Sequence, residues 1–118
     1  MTMLKHKYGA KASYSEGIRF PSKLERDCFL YLKVLEKEGT IRLVLRQVGI
    51  DLPGGVRHHV DFLVFTRCGG CAFLEAKGRD LEAGRVRRKV AEGVLGVTIG
   101  VVKRPGEVFG VLRELGAL

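Results

Sequence analysis

The chain has 118 residues, 46% of them hydrophobic and 29% charged, which is enough for one domain with a core of its own. Its 21 Lys and Arg outnumber 13 Asp and Glu, and the resulting formal charge of +8 suits a polyanion, nucleic acid before any other. No apolar run approaches the roughly 20 residues of a membrane span, and MTMLKHKYGA lacks the apolar stretch of a secretory leader, so a cytoplasmic protein without a membrane partner is expected.

Residues 1 to about 15 are polar, basic and without period. With Lys5, Lys7 and Lys11 they read as an arm that grips phosphates, or equally as a solvated tail. From Ser22 to Glu38, Leu24, Cys28, Tyr31, Leu32 and Leu35 recur at helical spacing, with Pro21 before the run and Gly39 after it. Ser22 and Glu25 match a capping box. Residues 41–50 alternate and are rich in aliphatic side chains, and Pro53-Gly54-Gly55 turns them into a second strand at 56–66. Gly69-Gly70 turns that strand into a third at 71–77. A helix is expected over 80–95, with Val86, Val90 and Val94 on one side, although Gly84 and Gly93 weaken it. The uniformly apolar 97–102 predicts a short strand buried on both faces, and 107–116 a terminal helix.

The order α-β-β-β-α-β-α implies an antiparallel meander of three strands. The helix over 80–95 is then a crossover that lays the fourth strand parallel to the third. A mixed central sheet flanked by helices, forming a single α/β domain over 1–118, is the expected architecture.

Three cysteines, Cys28, Cys68 and Cys71, do not make a disulfide framework in an intracellular chain. Cys68-Gly-Gly-Cys71 has zinc-knuckle spacing, but no second pair follows, so a turn flanked by small residues is the better reading.

Asp61, Glu75 and Lys77 stand inside apolar strands, where an unpaired charge costs several kcal/mol. Residues two apart share a strand face, so the hairpin register decides whether these charges meet. A two-residue Gly69-Gly70 loop would separate them. A three-residue loop, Cys68-Gly69-Gly70 with Gly70 at positive φ, pairs Arg67 with Cys71 and Asp61 with Lys77, and puts Glu75 diagonal to Asp61. The register is therefore expected to have this parity. Two carboxylates beside a Lys form either a structural ion cluster or a Mg²⁺ site where phosphate is handled, and the basic surface favours the second.

Glu25 in SKLERD, Asp61 in HVDF and Glu75-Ala76-Lys77 in LEAKG, followed by a helix and a parallel strand, resemble the PD-(D/E)xK nuclease superfamily. The chain is most similar to its archaeal-type Holliday junction resolvases and their phage-encoded relatives, over roughly residues 7 to 102, with KYGAK and FPSKLERD adding to the likeness. Val60 stands where the superfamily name has Pro. The resemblance implies a restriction-endonuclease-like fold and a homodimer that cuts branched DNA with Mg²⁺, Mn²⁺ being able to substitute, and with no small-molecule cofactor. It implies Asp61 and Glu75 as metal ligands, Lys77 as the catalytic lysine, and Glu25 as a further catalytic residue that binds or orients the metal if it is not only a helix cap. A phage-encoded enzyme would work in the host cytoplasm. The alternatives are another branched-DNA or nicking endonuclease of phage replication and repair, or a non-catalytic nucleic-acid-binding protein of this fold.

Lys7, Lys11, Arg79, Arg85, Arg88 and Lys89 are the candidate DNA contacts, with 85, 88 and 89 on one helix face. Gln47 could reach the site or be an ordinary strand residue, and His58 and His59 could touch DNA, a surface turn being the better reading. Val108, Val111, Leu112 and Leu115 on the terminal helix are a candidate dimer contact.

Overall fold

The computed structural model describes residues 13–15 and 17–118. Its first long element is the expected amphipathic helix, α1 (Lys23–Lys37). Ser22 Oγ accepts the Glu25 N–H at 3.1 Å and satisfies one of the orphan donors of the first turn. The helix buries Cys28, Phe29, Leu32 and Leu35, while Leu24 and Tyr31 pack at the margin. Phe29 lies outside the predicted stripe, yet its ring meets Phe20 at 5.2 Å and Phe62 at 6.5 Å.

Ahead of α1, the expected featureless arm gives way at its end to a two-stranded ribbon of β1 (Ser13–Ser15) and β2 (Ile18–Phe20), anchored by the buried Phe20. Lys5, Lys7 and Lys11 lie outside the described residues.

After α1 come β3 (Ile41–Leu52), β4 (Val56–Thr66), β5 (Cys71–Ala76), α2 (Glu82–Leu95) and β6 (Ile99–Val102). A 3-10 turn over Pro105–Glu107 then leads into α3 (Val108–Glu114). The sheet order is β3-β4-β5-β6, antiparallel through β5 and parallel between β5 and β6, as the crossover predicts. The β4–β5 hairpin occupies the middle of the sheet. Phe62, Val64, Ala72, Leu74 and Ala76 pack with α1 and α3, whereas Phe73 and Ile99 pack with Ala91 of α2, so helices cover both faces. No helix among the described residues is long and apolar enough to cross a membrane.

The hairpin register keeps the expected parity but is displaced by two residues. Phe65 pairs with Cys71 and Phe62 with Leu74, so the connection runs from Thr66 to Gly70 rather than over Cys68-Gly69-Gly70. Thr66 sets that length: its N–H donates to the Gly70 carbonyl at 2.9 Å, and its hydroxyl accepts the Gly70 N–H at 2.9 Å. Gly69, not Gly70, takes the positive φ, 93°. Gly70 is needed for a close approach instead, since a Cβ there would lie 2.8 Å from the Ala117 Cα.

Three expected packings are corrected. Val60 does not share the face of Phe62 but packs with Leu52, Ala91 and Ile99. The change of face falls where the β3–β4 ladder, pairing Arg46 with Phe62 and Val48 with Val60, omits Gln47, whose φ is +51°. On α2, Val86, Val90 and Val94 share a face that points outward, 55%, 41% and 51% exposed, while Arg88 and Ala91 are buried. Ion pairs of Arg88 with Glu75 and Asp80 hold the Arg88–Ala91 face inward. On α3, Val108 and Leu112 are buried against α1 with Val111 and Leu115 beside them, so this face is core and not a free dimer contact.

Val111 and Leu115 close over Gly100 of β6, where a Cβ would stand 2.9 Å from Leu115 Cδ1 and 3.0 Å from Leu74 Cδ2. Gly100→Val is therefore expected to cost about 2 kcal/mol by overpacking, read as a lower urea midpoint with an unchanged slope.

Candidate active site

The β4–β5 pairing stops at Phe62–Leu74, and past that point the Ala76 N–H donates to Asp61 Oδ2 at 2.8 Å. Asp61 thus takes the place of a ladder partner where the two strands part. Opposite it, the first turn of α1 delivers Glu25, only 3% exposed. Its backbone N–H is held by Ser22, while its carboxylate turns to Arg46 Nη2 at 3.2 Å and Gln47 Nε2 at 2.9 Å. Ser22 caps the helix, and in place of the reciprocal half of the expected capping box the Glu25 carboxylate is given to Arg46 and Gln47. The Arg46 guanidinium lies over the Phe20 ring at 4.1 Å and the Phe29 ring at 5.7 Å.

Gln47 joins the two acids: its Nε2 also donates to Asp61 Oδ1 at 3.2 Å. Burial, and after it the neighbouring Glu25 charge, push the Asp61 carboxyl up to about 7. The Ala76 N–H and Lys77 oppose that rise, and Glu75 adds the smallest contribution.

These groups open onto a cleft of about 890 Å³ whose walls include Glu25, Gln47, His59, Asp61, Lys77, Arg79 and Arg87. Acid lies at its base and cations at its rim, a suitable arrangement for a phosphate chain approaching a bound cation.

Glu75 does not stand among the cleft walls. It is 1% exposed, and its oxygens are taken by His58 Nε2 in a short contact and by Arg88 Nη1 at 3.3 Å. Arg88 in turn forks onto both oxygens of Asp80, at 3.0 and 2.6 Å, and its guanidinium holds the Asp80 carboxyl below its usual range. Asp61 and Lys77 thus share the cleft, while Glu75, expected diagonal to Asp61 as a fellow ligand, is instead turned toward α2 because His58 and Arg88 hold its oxygens.

Among the expected DNA contacts, Arg79 and Lys89 are exposed, and Arg85 is exposed while donating to the Asp80 carbonyl. Arg88 is buried with its guanidinium occupied, so it does not share a solvent face with Arg85 and Lys89. His58 and His59 belong to β4 and not to a turn, the first buried on Glu75 and the second on the cleft wall. Strand alternation through HHVDF carried that signal, since it puts neighbouring histidines on opposite sides. Asp80 and Arg46 gave no sequence signal, because their partners are distant in the chain.

The cysteines are free thiols. Cys28 is buried, which pushes its thiol up to about 12, while Cys68 and Cys71 are exposed at the turn. Among the described residues, no cluster of three His, Cys, Asp or Glu side chains is gathered as a ready metal cage.

The fold and site together define a mixed α/β domain with a carboxylate-floored, basic-rimmed cleft at the end of its central strands. No protein-family model, curated protein or solved structure matches the chain.

Proposed function

We propose that the chain is a Mg²⁺-dependent, structure-specific DNA endonuclease of the PD-(D/E)xK type, resolving four-way junctions as a homodimer. The observation that carries this reading is the pairing of buried Glu25 and Asp61 through Gln47, next to Lys77 in a cleft rimmed by Arg79 and Arg87. A protein that only bound DNA would gain nothing from two carboxylates facing phosphate, because they repel it.

The donor set fits a hard divalent cation. Glu25 and Asp61 bring oxygen ligands, and a bound ion offsets both the burial that chiefly raises the Asp61 carboxyl and the repulsion from Glu25 that adds to it. Mg²⁺ completes its shell with water and phosphate oxygens, so two carboxylates suffice without a full protein cage. When bound, the ion polarises the phosphodiester and lowers the pKa of a water. Glu25 and Asp61 hold the ion, and the Lys77 ammonium orients the phosphate or the attacking water. Arg79 and Arg87 place the strand along the rim. Glu75 joins the ligands only by releasing His58 or Arg88.

The test is cleavage of labelled four-way junction, Y-fork and duplex DNA with Mg²⁺, Mn²⁺ or EDTA. Junction cutting with either metal and none with EDTA is expected, and Lys77→Ala should lower the rate by about 10²–10³-fold. Equal cutting of all three substrates would remove the junction preference. Junction binding without any cutting would make the protein a non-catalytic binder.

A further inference from the structure

We infer that Gln47 is a positioning residue that holds Glu25 and Asp61 side by side for a cation, an inference that rests on the proposed nuclease reading. Among the described residues Gln47 is the non-glycine residue at positive φ, 51°. A side chain there is strained, and such strain persists where the surroundings impose it, often at functional sites. The ladder pairs Arg46 with Phe62 and Val48 with Val60 in one register and omits Gln47 and Asp61 between them, while its register shift lies away from the site, between Ile41 and Leu43.

Were the position only a bulge, glycine would take the same backbone without strain. What glycine lacks is the side-chain amide. Its nitrogen carries two hydrogens, and the two acceptors within reach are Glu25 Oε2 at 2.9 Å and Asp61 Oδ1 at 3.2 Å. A lysine could also bridge two carboxylates, but its charge would neutralise one and compete with the cation. The amide aligns both acids and adds no further positive charge beside the Arg46 guanidinium already on Glu25 Oε2. That is the role of groups just outside a metal's ligands, which fix the orientation of the residues that touch it.

Gln47→Gly removes the amide and relieves the backbone, whereas Gln47→Met removes the amide and keeps the strain. Mn²⁺ binding to the full chain, measured by titration calorimetry, should weaken about 10–100-fold in both variants. Thermal unfolding without metal should show the Gly variant at least as stable as wild type. The Mn²⁺ concentration for half-maximal cleavage should rise while the rate at saturating Mn²⁺ stays within a few-fold of wild type, a split that simple damage to the fold would not produce. Wild-type Mn²⁺ affinity in the Gly variant overturns the inference alone. A wild-type protein that takes up no Mn²⁺ overturns the nuclease reading, and the inference with it.

Discussion

Asp61→Asn is expected to stabilise the metal-free protein at pH 8 by about 2 kcal/mol while abolishing cleavage and leaving junction binding in place. The Asp61 carboxyl is raised from 3.8 to about 7 by burial and by Glu25. Below pH 4 the folded and unfolded chains both carry the proton. As pH rises toward 7 the unfolded chain releases it and the folded chain does not, so stability falls across that window and levels off above it. A shift of this size corresponds to at most about 4 kcal/mol, from which the weakened Gln47 and Ala76 hydrogen bonds are subtracted. Urea unfolding with EDTA from pH 4 to 9 should show wild type losing stability relative to the Asn variant up to pH 7. A constant difference over that range would show that Asp61 is not a buried, raised acid, and normal cleavage by the variant would displace the active site.

The second large effect concerns Arg88. Arg88→Met keeps the length and apolar stem of the side chain but leaves the buried Glu75 with His58 as its remaining hydrogen-bond partner. Removing one member of a buried ion pair costs about 3–5 kcal/mol, because the other charge stays desolvated. An arginine that served only to touch phosphate would cost less than about 0.5 kcal/mol when replaced. Urea unfolding at pH 7 separates the two roles, and a loss under about 1 kcal/mol would remove the buried network as a structural element. The double variant Glu75→Gln, Arg88→Met should recover more than half of the loss, since no uncompensated carboxylate remains.

These residues also show where the sequence was legible. The helix stripe over Cys28, Leu32 and Leu35 and the alternation of β4 are local patterns, punctuated by Pro21, Gly39 and Gly54, and they led to α1 and to the mixed α/β sheet, whereas the β1–β2 ribbon ahead of α1 was not foreseen. Asp61, Glu75 and Lys77 stood out because charges in apolar strands need a reason, while Glu25 was named through the family resemblance. The orientation of α2 was not legible. Val86, Val90 and Val94 mark a uniform face, but periodicity does not say which face turns inward when Arg88 finds Glu75 and Asp80 there. The hairpin length was hidden for a similar reason: glycines allow several turns, and the hydrogen bonds of Thr66 choose among them. The diversion of Glu75 depends on His58 and Arg88, brought to it by the fold rather than by sequence proximity.

The left-handed residue in β3 also constrains how this protein can drift. A glutamine codon reaches Glu, Lys, Arg, Leu, Pro, His or a stop by one base change, but never Gly or Asn, the residues most at ease at position 47 with its φ of 51°. Glu would add a third negative charge beside Glu25 and Asp61, while Lys and Arg would bring a positive charge in place of a neutral donor. Leu offers no donor, and proline cannot adopt the conformation. Histidine tolerates it better than most, but a neutral imidazole has one N–H where the amide presents two. Relief of the strain therefore lies more than one base change away, across intermediates that each disturb the paired acids.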